Sequence, residues 1–549
     1  MCGIYLYIKK KKSGNLTKNF KLIKHRGPDE TIERTFNIKI SNDVNYKVKL
    51  GFHRLAIRDT SHNGMQPFEH DDIFAIINGE IYNYEKLKQM VQSFYRFTSK
   101  SDCEIILPLF DMFQKKMLPV CKNIDGEYAM IIFDTKNKKL HMATDTLSVR
   151  PIFYYNDDTL FVAASEMKAF HNENIGSGIK RLSPGTITEY DIINEKISTH
   201  EYFDWYPEIT DNGYHMVRDT LLRLLKESVA KKLVMDRDAG FLLSGGLDSS
   251  YVAQEATIQL RKINKDARIR TFTIGMTSKD NIKDRCIIEE KNMPSDIIAA
   301  RLVAKSIGSI HEELWFSLEE AFESIEKVVY HAESWDQTSI RASVPMYLGI
   351  NEIKKRYPDI AVIFSGEVSD ELLQGYLYNH KCPDAKSGRE DMIRLLKNIC
   401  YFDGLRADRM TSSASCELRL PFYGDEIITH VLKSNPEFFM PVYSKKIVGK
   451  SIEKYILRDA IQNDPACLLP KEIIWREKLA FSDATSGEDV YSWKHYIKMR
   501  TSELSEDMNT EEKLYKHYFS RYYKNSEHIV PYKWMPKFVG MSDTDDPSA

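Results

Sequence analysis

Residues 239–250 read AGFLLSGGLDSS: a short apolar run, a pair of glycines, then an acidic residue among small hydroxyls. An apolar run of this length ending in glycine reads as a buried strand. The helical pattern after Ser250 completes a strand–loop–helix unit. Such units build parallel sheets with helices on both faces. The loop itself, Ser244–Ser250, carries chemistry. Gly245 and Gly246 let the backbone turn tightly and approach a phosphate chain. Backbone N–H groups, the hydroxyls of Ser244, Ser249 and Ser250, and a helix N-terminus then make an anion site. Asp248 is placed to hold Mg2+ against the phosphates. The lysine of a Walker A loop is missing.

The rhythm repeats downstream. Ile269–Ile274 (IRTFTI) and Asp359–Phe364 (DIAVIF) read as further strands, so a doubly wound parallel sheet is expected here. The second of them runs into Ser365–Glu371, SGEVSDE. In a parallel sheet the carboxyl ends of the strands share one edge, so the two loops can meet over one ligand. Asp370 is then expected to share the metal with Asp248, and Glu367 to act as a base. From about Asp403 onward the chain reads as mostly helical, and SDTDDPSA (542–549) as a loose tail.

The first 200 or so residues have a different texture. Ile73–Ile77, Tyr128–Phe133, Ile152–Tyr155 and Phe161–Ala164 are short strand signals, and Asn78-Gly79 and Asp125-Gly126 read as turns between them. Helical segments interrupt near Tyr84–Gln92 and Asp102–Met112. Closely spaced strands imply antiparallel sheets with helices packed outside. A polar, aromatic stretch at Tyr202–Asn212 precedes an amphipathic run from Val217 to Leu233. The expected division is therefore 1–208, 213–525 and a tail at 526–549.

The chain opens MCGIYLYIKK. With Met1 removed, Cys2 carries a thiol of pKa roughly 8.5 beside an α-amine of roughly 8, so the amine can take the thiol proton near neutrality. Asn78 and Gly79 can offer a side-chain amide and a backbone N–H to an oxyanion. Arg54 and Asp102, of opposite sign, suit the carboxylate and ammonium of an amino acid.

Composition narrows the classes. The 549 residues, 42% apolar, are enough for about two to four full-sized domains. A net charge of −2 gives no nucleic-acid footprint, and no run approaches a membrane span. The first apolar patch precedes the lysines, the reverse of a secretory signal. Lys9–Lys12 reads as a solvated turn rather than a localisation signal. The cysteines (Cys2, Cys103, Cys121, Cys286, Cys382, Cys400, Cys416 and Cys467) show no C-x-x-C or zinc spacing, so reduced, packed thiols and a cytoplasmic protein are expected.

Taken together, the motifs resemble those of glutamine-hydrolysing asparagine synthetases. In the N-terminal half the matching stretches are MCGI, HRGPDE (25–30), HRLAI (53–57), NGEIYNY (78–84), SDCEII (101–106) and ASEMKAF (164–170). In the C-terminal half they are LLSGGLDSS (242–250), SIRASVPMYL (339–348), FSGEVSDELLQGYLY (364–378), ELRLPF (417–422), GKSIEKYILR (449–458) and WREKLAFSD (475–483). The resemblance implies an α/β two-domain chain. Its first domain would be an αββα sandwich of the N-terminal-nucleophile hydrolase type, and its second would carry the pyrophosphate-binding loop and a helical C-terminal part. Cys2 would attack the glutamine carboxamide, with Asn78 and Gly79 as oxyanion hole. Arg54, Leu55, Ala56, Ile57, Arg58, Glu80 and Asp102 would hold glutamine. Ammonia would pass through the interior. ATP would bind near Leu242, Ile274, Ser365 and Gly366, and aspartate would be adenylated before ammonia displaces AMP. Lys478 suits the charge developing at phosphorus. Glu367, with Tyr376 near it, suits proton removal from ammonia. Arg341 is a candidate clamp for aspartate. ATP and Mg2+ are the implied cofactors. Small molecules are the expected partners, with no nucleic acid or membrane, and a homodimer is a possible assembly.

The chain departs from the family pattern at several places. Val368, Gln374 and Ser148 stand where glycine is usual or frequent, and a β-branched residue is a poor guest at φ > 0. Lys100, Arg58 and Thr144 also differ, and a polar insertion at 276–295 reads as a mobile lid. Two other readings stay open on the sequence: the same adenylation with another acid acceptor, and a degenerate chain that binds glutamine or nucleotide as a sensor.

Overall fold

Alternation along the first strand sets the N-terminal layers. In β1 (Gly3–Lys9), Ile4, Leu6 and Ile8 face one way, and Tyr5 and Tyr7 the other, as a period of two requires. Following it are β2 (Glu30–Lys39), β3 (Asn45–Arg54), β4 (Phe68–His70), β5 (Ile73–Ile81) and β6 (Gly126–Asp134). Then come β7 (Lys139–Thr144), β8 (Phe153–Asn156), β9 (Leu160–Ala164), β10 (Lys180–Arg181), β11 (Thr186–Asp191) and β12 (Lys196–Glu201). They form two six-stranded antiparallel sheets, ordered β10-β8-β9-β1-β3-β2 and β12-β11-β7-β6-β5-β4. Ile4, Leu6 and Phe52 of the first meet Phe74, Ile76 and Ile131 of the second in a dry layer. On the second sheet's far face, Ile73, Ala75 and Ile77 pack against helices Tyr84–Val91, Ile106–Met112 and Met117–Asn123. The computed structural model describes residues 1–10, 19–40, 45–279, 282, 293–444, 450–478, 484–486 and 492–539.

The second half winds as its rhythm suggests. Strands β13 (Asp238–Leu242), β14 (Arg270–Thr277), β15 (Ile310–Ser317), β16 (Ile360–Phe364) and β17 (Glu417–Arg419) form one sheet, every pair parallel. Their order is β15-β14-β13-β16-β17, so the winding reverses between β13 and β16. That is the switch point where open parallel sheets hold ligands, and both glycine loops lie there. The outer face of the first antiparallel sheet and the helices of the second half share one continuous core, in which Tyr5, Val162 and Phe153 belong with Leu221, Val303 and Met410.

β17 is the free edge of the parallel sheet, and the N-terminal domain closes it. Arg150 donates to the Leu418 carbonyl, and the Leu420 N–H donates to Glu127 at 3.2 Å. Arg150 and Glu127 are themselves paired at 2.9 Å, with both side chains inaccessible to solvent. A side-chain pair thus does the work of a neighbouring strand.

Several expectations need correction. Asn78-Gly79 is not a turn, because β5 runs straight through it and pairs Asn78 with Ala129 and Gly79 with Tyr128. The chain past Asp403 is mostly helical as expected, and ELRLPF adds the strand β17, which at three residues is too short to show a period. Lys10 is not solvated: its ammonium is buried against Asn156 and the Asp157 carbonyl at 2.9 and 2.7 Å. Lys11 and Lys12 lie outside the described residues, as do Cys286 and 280–281 and 283–292 of the insertion. The other seven cysteines are free thiols. No described helix is long and apolar enough to cross a membrane. The segment from residue 526 is packed as far as Val539. Trp534 is buried beside Tyr376 and Tyr378, and its N–H donates to Asp336 at 3.0 Å.

Trp534→Ala should therefore cost about 3 kcal/mol of apparent stability, within the range for buried aromatic truncation. A urea-unfolding midpoint measured by fluorescence checks it, and an unchanged midpoint would return this segment to the status of a tail.

Candidate active sites

The first site gathers at the start of β1. The Cys2 nitrogen donates to Asn78 Oδ1 at 2.8 Å, and its sulfur lies 3.4 Å from the Leu55 nitrogen. Burial pushes the thiol up from its ordinary pKa. Asn78 is fully buried and its Nδ2 has no partner, an amide donor left for an acceptor in the site. Gly79 sits at φ 154°, where a Cβ would fall 2.1 Å from the Glu127 carbonyl oxygen. Glu80 and Asp102 lie buried next to it, and Asp102 accepts the Ile81 N–H at 2.5 Å. Burial pushes both carboxyls up, and the charge of Asp102 adds to the rise at Glu80. Arg58 opposes both shifts, so it stands close to the pair and stacks on Tyr84. Arg54 is buried and already holds Glu30 at 2.8 Å and the Ser61 carbonyl at 2.6 Å. It braces the loop through 55–61, whose residues Leu55, Ala56 and Ile57 are buried.

The second site is the cleft at the switch point. Gly245 adopts φ 72°, and a Cβ there would meet Ala299 at 2.4 Å. Gly246 caps the helix Leu247–Ile263. Hydroxyls tie the loop: Ser244 Oγ lies 3.0 Å from Ser249 Oγ and accepts the Gly246 N–H at 3.2 Å. Across the cleft, Ser369 donates to Asp248 Oδ1 at 2.7 Å. Lys454 reaches Asp248 Oδ2 and Asp370 Oδ1, each at 2.5 Å, and Lys478 reaches Asp370 Oδ2 at 2.6 Å. Against burial, these two ammoniums hold the Asp370 carboxyl well below the usual carboxylate range. Burial pushes Glu367 up while Arg406, 3.0 Å away, opposes it. Arrayed along one cleft are Leu242, Ile274, Ser365, Gly366, Glu367 and Tyr376. Two carboxylates bridged by a cation form an oxygen donor set that suits Mg2+, with phosphate oxygens to complete it. No described cluster of three or more metal-ligating side chains exists.

Comparison with known proteins agrees with both halves. Residues 1–203 match the glutamine amidotransferase domain family, and residues 220–394 and 380–541 the asparagine synthase family. The glutamine-hydrolyzing asparagine synthetase of Cricetulus griseus is 35% identical over 95% of this chain and 93% of its own, and that of Homo sapiens 34% over the same shares. The chain belongs to the glutamine-hydrolysing asparagine synthetase family. It is accordingly an enzyme of glutamine-dependent asparagine synthesis. A solved glutamine phosphoribosylpyrophosphate amidotransferase from B. subtilis is 14% identical and covers 58% of this chain, at a TM-score of 0.31 from which nothing is argued.

Against the family pattern, most expected residues fall into one site or the other, and some do not. Ser250 is buried, its hydroxyl makes no hydrogen bond among the described residues, and it does not line the cleft. Tyr376 lines the cleft with Glu367, and its hydroxyl lies 2.6 Å from Glu371 and 3.1 Å from Asp403. Arg341 does not reach the cleft. Its guanidinium is buried against Glu511, with Nε 2.9 Å from Oε1. Missing from the sequence reading were Lys454 and Arg406. Lys454 was within reach, because it sits inside the motif GKSIEKYILR and a lysine in a family motif invites a phosphate role. Arg406 carried no such signal.

Three of the departures share one conformation. Val368, Gln374 and Ser148 have φ of 79°, 51° and 49°, the left-handed region that glycine favours. The backbone has kept the conformation that glycine allows and carries the strain, about 1–2 kcal/mol for a residue with a Cβ. Val368 offsets part of it, because its side chain is fully buried in the core. At ordinary buried positions alanine is preferred to glycine. Here Val368→Gly should be about 1 kcal/mol more stable than Val368→Ala, since only glycine relieves the backbone. Thermal unfolding of the two variants reads the sign, and the ordinary order would remove the strain argument.

Proposed function

We propose that this chain makes asparagine by joining two half-reactions through the residues described above. The observation that carries the reading is the Cys2–Asn78 contact, with the spare Asn78 amide hydrogens beside it. Glutamine is held with its ammonium toward Glu80 and Asp102 and its carboxylate toward Arg58 and Arg54. The Cys2 thiolate attacks the carboxamide carbon, and Asn78 Nδ2 and the Gly79 N–H receive the oxyanion. The Cys2 α-amine takes the thiol proton and delivers it to the departing nitrogen, so ammonia leaves and a glutamyl thioester remains. Water then releases glutamate.

The amine exists only when Met1 has been removed. With Met1 in place, burial pulls its ammonium down to about 6, and the guanidinium of Arg150 lies 2.7 Å from the Met1 sulfur, a poor acceptor. An intact mass lacking one methionine is the expected measurement. A purified chain that keeps Met1 yet hydrolyses glutamine would remove the amine from the mechanism.

In the cleft, the aspartate β-carboxylate attacks the α-phosphorus of ATP. Pyrophosphate leaves, and a β-aspartyl adenylate forms. Asp248 and Asp370 would hold Mg2+, which would supply charge neutralisation at the phosphates. Lys478 and Lys454 add positive charge on the same side. Glu367, raised by burial, takes a proton as ammonia attacks the acyl carbon and AMP departs. Val368 does not argue for a degenerate binder, because the loop keeps a left-handed turn of the kind glycine allows.

Cys2→Ala should abolish glutamine-dependent asparagine formation and leave ammonia-dependent formation within about twofold, because the second half-reaction needs only NH3. Pyrophosphate release with glutamine and with ammonium chloride separates the two, and equal loss of both would contradict two separate sites.

A further inference from the structure

A side chain from the other domain reaches the glutamine site. Glu80, next to the oxyanion glycine, pairs through Oε2 with Arg419 at 3.3 Å. Arg419 ends β17, the edge strand of the parallel sheet, and is fully buried. Its own position is over-determined. Nε donates to Glu417 at 3.0 Å, and Nη1 donates to the carbonyls of Lys232 and Val234, the latter at 3.0 Å. Those contacts fix the fork before Glu80 is considered, so the carboxylate adjusts to the arginine and not the reverse.

Register explains why the contact exists. Glu80 on β5 and Glu127 on β6 are direct partners across the strands, so their side chains leave the sheet on one side. Two carboxylates side by side repel, and each is answered from a different place: Glu127 by Arg150, Glu80 by Arg419. Without Arg419, Glu80 would face Asp102 and Glu417 in a buried pocket and would favour the protonated form, which cannot pair with an ammonium. Arg419 opposes the rise that burial causes in the Glu80 carboxyl and gives it its direction.

The same residue also touches the other site. Ser365, first residue of the SGEVSDE loop, donates its N–H to the Arg419 carbonyl at 3.1 Å. One residue therefore holds a glutamine-facing carboxylate with its side chain and the start of a nucleotide loop with its backbone.

We infer that Arg419 is a positioning residue for glutamine recognition, by which the synthetase sheet sets the direction of the carboxylate that receives the substrate's α-ammonium. This rests on the glutamine-binding reading given above. Arg419 touches no substrate and acts through Glu80.

The test uses the full-length chain and two amides, glutamine and glutaramate, which keeps the carboxylate and carboxamide but has hydrogen in place of the ammonium. Glutaminase kcat/KM is measured for each. The unmodified chain should prefer glutamine strongly. In Arg419→Gln that preference should fall by at least about tenfold, the order expected when a buried charge loses its partner, with glutaramate hydrolysis little changed. Arg419→Lys, which keeps the charge and loses the fork, should recover part of the preference and serves as the deciding variant if the glutamine substitution does not fold. A role confined to structure would lower both amides by one factor in both variants, and that result overturns the inference, as does an unchanged preference. Failure of the underlying reading looks different: the unmodified chain would then hydrolyse neither amide, or would not distinguish them.

Discussion

A solvent-free joint of charges holds the two halves in one arrangement. Arg26 pairs with Glu166 at 2.8 Å and Asp408 at 2.9 Å, and Arg409 pairs with Glu166 at 3.0 Å and Glu333 at 2.9 Å, all with inaccessible side chains. Ions buried in this way are costly by several kcal/mol each unless every partner is present. Parting the domains would strand acids and bases alike, so the joint admits one mutual position. The nucleophile depends on it directly, because Arg26 Nε also donates to the Cys2 carbonyl at 3.1 Å.

Where the sequence was readable, one physical signal dominated locally. The parallel sheet followed from apolar runs that end at glycine loops, and the sandwich from short strand signals such as IFAII and YAMIIF set close together. Both glycine loops were placed on one edge by topology alone, and the structure brings Asp248 and Asp370 together through Lys454. Reading failed where local and distant signals compete. Asn78-Gly79 has the composition of a hairpin turn, but β6 pairs through it and keeps it extended. Lys10 has the composition of a solvated run, yet acceptors 146 and 147 positions away bury it. Arg341 pairs with Glu511, 170 positions away, which nothing nearby in sequence announces.

The left-handed positions teach a related lesson. A glycine replaced by valine looks like a lost conformation when only the residue is considered. The structure shows the conformation kept and the residue strained, because the backbone at Val368 is fixed by the helix it caps and by the core its side chain fills. Substitution patterns there report cost, not shape. The same holds at the sheet edge, where Arg150 and Glu127 satisfy groups that a sequence pattern would assign to a missing strand.

Asp408 follows Arg26 by 382 positions. During synthesis on a ribosome at about 5–20 residues per second, that interval lasts tens of seconds. Throughout it the N-terminal sandwich can form its own hydrogen-bond ladders, but Arg26 lacks its second acid and Glu80 its arginine. The thiol is made first and is braced last. A chain cut short before β17 would thus leave the ribosome with a nucleophile whose surroundings are unfinished, so release of free ammonia is tied to completion of the part that consumes it.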